Sequence, residues 1–178
     1  MEIAPAMLRR YLKNKHNYAS SGLDGVTYLL LKRCGYFLLH QLSLFFQFCL
    51  NNGATPEQRK TATVVPLFKK GGRTSLVNYR PVSLTSCIAK LRESCVRETL
   101  WNFWNSHRLI RLSQFGSIPN CSCCDQLIEF LENITRLTDG VSWVDVVYLD
   151  SAKAFNSVPY KRLMAKPFAM GVKDDLFD

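Results

Sequence analysis

The alternation of apolar and polar residues divides the chain into a helical first third, two short β-branched runs, two more helical stretches, one long apolar run and a last short helix. Met7, Leu8, Tyr11 and Leu12 recur at helical spacing within the basic stretch Met1–Ser21 and predict an amphipathic helix. "SSGLDG" (Ser20–Gly25) reads as a turn, and a helical segment follows over Leu29–Leu50. Its most apolar part, "YFLLHQLSLFFQFCL", places Leu38, Leu42, Phe45, Phe46 and Cys49 on one face. That part has only fifteen residues, interrupted by His40, Gln41, Ser43 and Gln47. A bilayer span needs about 20 apolar residues, so a buried helix is expected rather than a membrane anchor. "NNGATPEQ" closes it, with Asn and Gly as C-terminal caps and Pro56 barring continuation.

"TATVVPLF" (Thr61–Phe68) has the β-branched content of a strand, and Pro66 assigns it to an edge. A basic glycine-containing loop, "KKGGRTSLVNY", leads to a second short strand, "RPVSLTS". Ile88–Trp104 is predicted helical with Ser86 as N-cap. In Cys124–Gly140, Leu127, Ile128, Leu131, Ile134 and Leu137 fall on one helical face, with Gly140 as terminator. Val141–Leu149 is the best strand candidate, apolar at most positions as if covered on both faces, and Tyr160–Ala169 is a further helix. With no repeat or long linker, one mixed α/β unit is expected.

Charge changes this picture more than composition does. The 47% hydrophobic and 21% charged content is ordinary for a globular chain, whereas a formal net charge of +9 favours a polyanionic partner. Between Arg59 and Arg97 there are nine Lys/Arg against Glu93 alone, a net of +8 that falls to +6 when Glu57 and Glu98 are included. A solvated basic face is the plain alternative. Seven cysteines, an odd number, and a start without signal-peptide character point to reduced thiols in an intracellular protein, nuclear or cytoplasmic, that is not secreted. Cys121, Cys123 and Cys124 have no second ligand pair to complete a zinc site.

The stretch "VDVVYLDSAKAFNSVPY" carries the candidate chemistry. Asp150 ends the apolar run, where a sheet would open to solvent. A carboxylate there can hold Mg²⁺, which takes hard oxygen ligands, or can cap the following helix.

In order along the chain, "ATVVPLFKKGG", "NYRPVSLTSCIAKLRE", "QFG" and "YLDSAKAFNSVP" resemble the reverse transcriptases of non-LTR (LINE-type, jockey-like) retrotransposons, over roughly Ser21 to Val172. The resemblance implies an α/β, mixed α+β fold: a partial right-hand polymerase with fingers and the first part of the palm. Residues 1–20 would form a basic helical extension and 21–178 a partial reverse transcriptase domain. The family activity is RNA-directed DNA polymerisation. Asp150 would ligate two Mg²⁺ ions, helped by the backbone carbonyl of Ser151, and these ions would assist in-line nucleotidyl transfer. Phe155 matches the aromatic that excludes a ribose 2′-hydroxyl. Lys69, Lys70 and Arg80 match the residues that grip the triphosphate of an incoming dNTP, Arg by bidentate contact and Lys as a mobile point charge. The implied partners are an RNA template, an RNA–DNA hybrid and dNTP, with no membrane and no obligate protein partner.

The chain departs from the family pattern in places. Asn156 replaces an aspartate, Arg59 a tryptophan and Ser117 a phenylalanine, and Pro167 falls inside a predicted helix. The later Asp-Asp hairpin that completes the metal site is not found. Asp174 and Asp175 are adjacent, but Gly171 and Lys173 precede them instead of an apolar strand. The 178 residues are therefore expected to be truncated before that hairpin and inactive alone. The competing readings are a nucleic-acid-binding module that keeps the basic fingers without catalysis, and an interaction protein built on the Leu29–Leu50 helix.

Overall fold

A computed structural model describes residues 1–57, 60–111, 113–116, 118–140, 143–150 and 157–172. Their order is α1 (Pro5–Lys13), α2 (Tyr28–Arg33), α3 (Gly35–Asn51), β1 (Thr63–Phe68), β2 (Tyr79–Leu84), α4 (Cys87–Ser106), α5 (Cys123–Thr138) and α6 (Tyr160–Ala169). This mixture of helices with a small antiparallel sheet is compatible with an α/β class. Where one unit was expected, the chain groups into two compact units, Met1–Asn102 with Val172, and Phe103–Gly171.

The first unit holds the core. Leu8 and Leu12 from α1, Tyr28 and Leu31 from α2, Leu39, Leu42 and Phe46 from α3, and Cys87, Leu91 and Cys95 from α4 form one buried cluster. The apolar stripe of α3 is thus real, although Leu39 lies deeper in it than Leu38. Gln47, polar within an apolar helix, has a structural task. Its Oε1 accepts the Ile3 N–H at 2.9 Å and its Nε2 donates to the Met1 carbonyl at 3.1 Å, which fixes the chain start against α3. The Arg10 guanidinium and the Tyr11 hydroxyl both donate to Glu98 Oε2 and tie α1 to α4.

The expected single helix over Leu29–Leu50 is divided. Gly35 takes φ +70°, a left-handed conformation available to glycine at little cost, and the chain turns between α2 and α3. The far end of α3 closes as the caps predict. Gly53 has φ +56°, its N–H donates to Leu50 O at 3.3 Å, and the Ala54 N–H donates to Cys49 O at 2.9 Å, the paired bonds of a Schellman terminus.

The described residues of the second unit bury little apolar surface. α5 begins with a full capping box, in which the Ser122 hydroxyl accepts the Asp125 N–H at 3.2 Å and Asp125 accepts the Ser122 N–H at 2.8 Å. Yet no described side chain of α5 or α6 is buried, and Leu127, Ile128, Leu131 and Leu137 are all more than half exposed. Pro167 lies in the last turn of α6, which ends two residues later, so the lost hydrogen bond is confined to the helix terminus.

The strand expected over Val141–Leu149 is corrected. Residues 143–150 are described, and they join no ladder. Val147, Tyr148 and Leu149 are 78%, 78% and 94% exposed. An extended run becomes a strand only when a neighbour accepts and donates its backbone hydrogen bonds, and the sheet among the described residues holds β1 and β2 alone.

Candidate nucleic-acid interface

β1 and β2 pair antiparallel in the register Thr63↔Leu84 through Phe68↔Tyr79, so Pro66 opposes Pro81 and Arg80 opposes Leu67. Two prolines facing each other cost ladder bonds and suit a hairpin with two free edges, as Pro66 predicted. Beyond the last pair, the Lys69 N–H donates to Asn78 O at 2.8 Å, which carries the pairing one step into the loop.

The loop holds itself in shape. Asn78 Nδ2 donates to Gly72 O and the Tyr79 hydroxyl donates to Arg73 O, both at 2.8 Å. Gly71 has φ +90°, which favours glycine, and a Cβ there would sit 2.8 Å from Asn78 Nδ2 and push that side chain off its bond to Gly72 O. The Phe68 and Tyr79 rings meet edge to face at 5.4 Å, and the Arg73 guanidinium lies 5.4 Å from the Phe68 ring centre. Arg73 is thereby held on the hairpin, a role that counting charges does not reveal.

Lys69, Lys70 and Arg80 are exposed at this end of the hairpin. Arg80 faces Leu67, two residues before Lys69, so register brings the cations together at one end. No Asp or Glu occurs from Thr61 to Arg92. Among the described residues, Lys69, Lys70, Arg73 and Arg80 form no ion pair; the pair nearest in sequence, Lys60–Glu57 at 2.5 Å, lies ahead of β1. On a hairpin exposed on both faces these cations concentrate positive potential at one end.

Both ends of the hairpin are fastened to the helical core. Arg92 on α4 donates to Thr55 Oγ1 at 3.2 Å, on the segment that enters β1. After β2, the Ser86 hydroxyl donates to Asp24 Oδ2 at 2.6 Å and accepts the Ile88 N–H at 3.2 Å, the predicted N-cap. Asp24 Oδ1 also accepts the Val26 N–H at 3.2 Å. Gly22 packs so closely that a Cβ would lie 2.7 Å from Ser86 N. "SSGLDG" is therefore more than a turn: Gly22 and Asp24 dock on the β2–α4 junction. Only a long-range contact, invisible to local pattern, assigns them that part.

Asp150 belongs to the second unit, at the exposed end of residues 143–150. The Tyr148 ring lies 6.0 Å from that of Phe130 on α5. Asp150 has no hydrogen bond or ion pair among the described residues, and it does not cap α6, whose N-cap is Pro159. Its free carboxylate has the hard oxygen chemistry of a Mg²⁺ ligand. Among the described residues no three His, Cys, Asp or Glu side chains cluster as a metal site. Ser151, Phe155, Asn156, Arg59, Ser117, Asp174 and Asp175 lie outside the described residues. No described helix is long and apolar enough to cross a membrane.

No family model matches the chain. Over 148 residues it is 28% identical to the probable RNA-directed DNA polymerase from transposon BS of Drosophila melanogaster. The match takes in 83% of this chain and 16% of that protein, so the chain spans about a sixth of its relative's length.

Proposed function

We propose that this chain is the fingers and first palm segment of a reverse transcriptase of the non-LTR, LINE-type, jockey-like class. The observation that carries the reading is the β1–β2 hairpin: a self-organised loop that presents Lys69, Lys70 and Arg80 without an ion pair among the described residues. The similarity over most of the chain to a transposon polymerase supports it, as does the order of motifs around the hairpin.

On this reading Lys69, Lys70 and Arg80 hold the triphosphate of a dNTP, and with no dNTP present they join the remaining basic surface in following the backbone of an RNA template or RNA–DNA hybrid. Asp150 is one Mg²⁺ ligand, assisted by the Ser151 carbonyl, and Phe155 selects the deoxyribose. Mg²⁺, when bound, would neutralise phosphate charge and lower the pKa of a coordinated primer hydroxyl. Asn156 keeps the size of an aspartate without its charge, and it is not the ligand position.

The test is hybrid binding by the purified 178 residues, followed by fluorescence anisotropy between about 50 and about 200 mM salt. Affinity should fall linearly on a log–log scale, and changing Lys69, Lys70 and Arg80 together to Ala should reduce that slope by about two to three. Asp150→Ala should leave binding unchanged. An unaltered slope in the triple variant would sink the hairpin as the phosphate-binding surface. These residues alone are not expected to extend a primer, since one carboxylate cannot position two ions; extension abolished by Asp150→Ala would refute that expectation.

A further inference from the structure

A second basic site lies away from the hairpin, in the first unit. A cleft of about 470 Å³ opens between α1, α2 and α3, within the size range of small-ligand pockets. Its apolar lining is Leu12 and Leu39, each 3% exposed, and its rim carries Arg9, Lys13, Lys32 and Tyr36. The lining contains no acid.

The cations differ in what occupies them. Lys32 Nζ donates to Lys15 O at 2.6 Å and Asn17 Oδ1 at 2.8 Å, so its ammonium pins the chain after α1 while its charge stays beside the cleft. Arg9 and Lys13 are exposed and form no ion pair among the described residues. They stand four residues apart on α1, a like-charge spacing that weakens a helix slightly and that an anion between them would relieve. Tyr36, 62% exposed, offers a free aromatic ring beside them.

We infer that this cleft binds a nucleoside phosphate, with the phosphate on Arg9 and Lys13 and the base against Tyr36. Phosphate alone would use the cations and leave the ring and the leucine floor idle. A nucleotide uses all three, because every base has a face that stacks on an aromatic side chain. The nucleotide can be free or one residue of a single strand, since the recognising chemistry is the same.

The purified chain is titrated with adenosine monophosphate by calorimetry and with a labelled single strand of about ten nucleotides by anisotropy. Arg9→Ala with Lys13→Ala should weaken whichever probe the cleft takes by about tenfold or more, two charge-assisted contacts being lost. Circular dichroism checks the fold, which should survive because alanine is the best helix former and both side chains are exposed. Tyr36→Phe should bind within about twofold of the parent and Tyr36→Ala about fivefold or more weaker, which separates stacking from charge alone. Both probes responding identifies a free nucleotide site, and the strand alone responding identifies a strand site. Failure of either probe to bind the parent overturns the inference only if the other fails too; equal binding by the folded Arg9/Lys13 variant, or by Tyr36→Ala and Tyr36→Phe, overturns it outright. The same comparison in the Lys69, Lys70 and Arg80 triple variant should give the same ratios, so the cleft and the hairpin stand or fall separately.

Discussion

Replacing Gly22 by alanine tests how the hairpin is attached to the core. A Cβ at this position would lie 2.7 Å from Ser86 N, 2.8 Å from Ser86 Cα and 3.0 Å from Thr85 C. All three are backbone atoms, so no side-chain rotation relieves the clash and the turn must move off the β2–α4 junction. That movement also strains the Ser86–Asp24 hydrogen bond of 2.6 Å. Overpacking of this kind costs about 1–3 kcal/mol. A weakened hydrogen bond to a carboxylate brings the total to about 2–4 kcal/mol. For a chain of this size the melting temperature should drop by about 5–15 °C. Gly25 supplies the control: its φ is +65°, nothing lies within 4 Å of a Cβ there, and alanine should cost only the backbone penalty of about 1–2 kcal/mol. Ser86→Ala removes the far side of the same contact, so it should be less than additive with Gly22→Ala in a double-mutant cycle. Thermal denaturation by circular dichroism decides the matter. A Gly22→Ala protein that melts within about 2 °C of the parent, less than about 1 kcal/mol, would refute the docking role.

The cysteines should divide by burial: at about pH 8, iodoacetamide should modify exposed Cys34, Cys121, Cys123 and Cys124 well before Cys49, Cys87 and Cys95. Burial pushes the Cys95 thiol up to about 11, so a Cys95 that reacts as fast as Cys34 would contradict the packed α4 core. Burial first, with Cys87 beside it, raises Tyr28 to about 12, and burial together with Glu98 raises Tyr11 to about 12. Unfolded tyrosine ionises near 10, so stability should be whole below about pH 10 and fall as pH rises through about 12. Urea midpoints at about pH 8 and about pH 11 should show that loss, smaller in Tyr28→Phe; an equal loss in the variant would refute the assignment to Tyr28. Val147→Ser with Leu149→Ser should shift stability by less than about 0.5 kcal/mol, as both are exposed, while light scattering shows less self-association. A large drop in the melting temperature would mean that the segment is packed after all.

What could be read from sequence and what could not follow from the range of the interactions involved. α1, α3 and α4 were legible because their stripes meet one another in a shared core, so local period and tertiary packing agree. The hairpin was legible for the same kind of reason: Pro66 marks an edge strand and Gly71 permits the φ +90° of the loop, both within a few residues. Gly22 and Asp24 were not, since their contact spans more than sixty residues, and Arg73 was not, since its place over the Phe68 ring depends on how the loop folds back. Residues 143–150 mark the limit most clearly. Their apolar pattern says that the segment is suited to burial, but a strand is a property of two chains, and periodicity carries no information about the second. The same holds for α5, whose capped, amphipathic helix forms while its apolar face stays open. The two features have a common cause: both are complete in their local signals and lack a covering layer among the described residues. Asp150 stands at the end of this uncovered segment, so any role proposed for it rests on a segment that no described layer covers. The cations of the hairpin need no such help, because their loop is already fixed by Asn78, Tyr79 and Gly71. The polyanion affinity proposed for the hairpin should therefore be indifferent to Asp150→Ala, and equal loss in Asp150→Ala and in the Lys69, Lys70 and Arg80 triple variant would refute that independence.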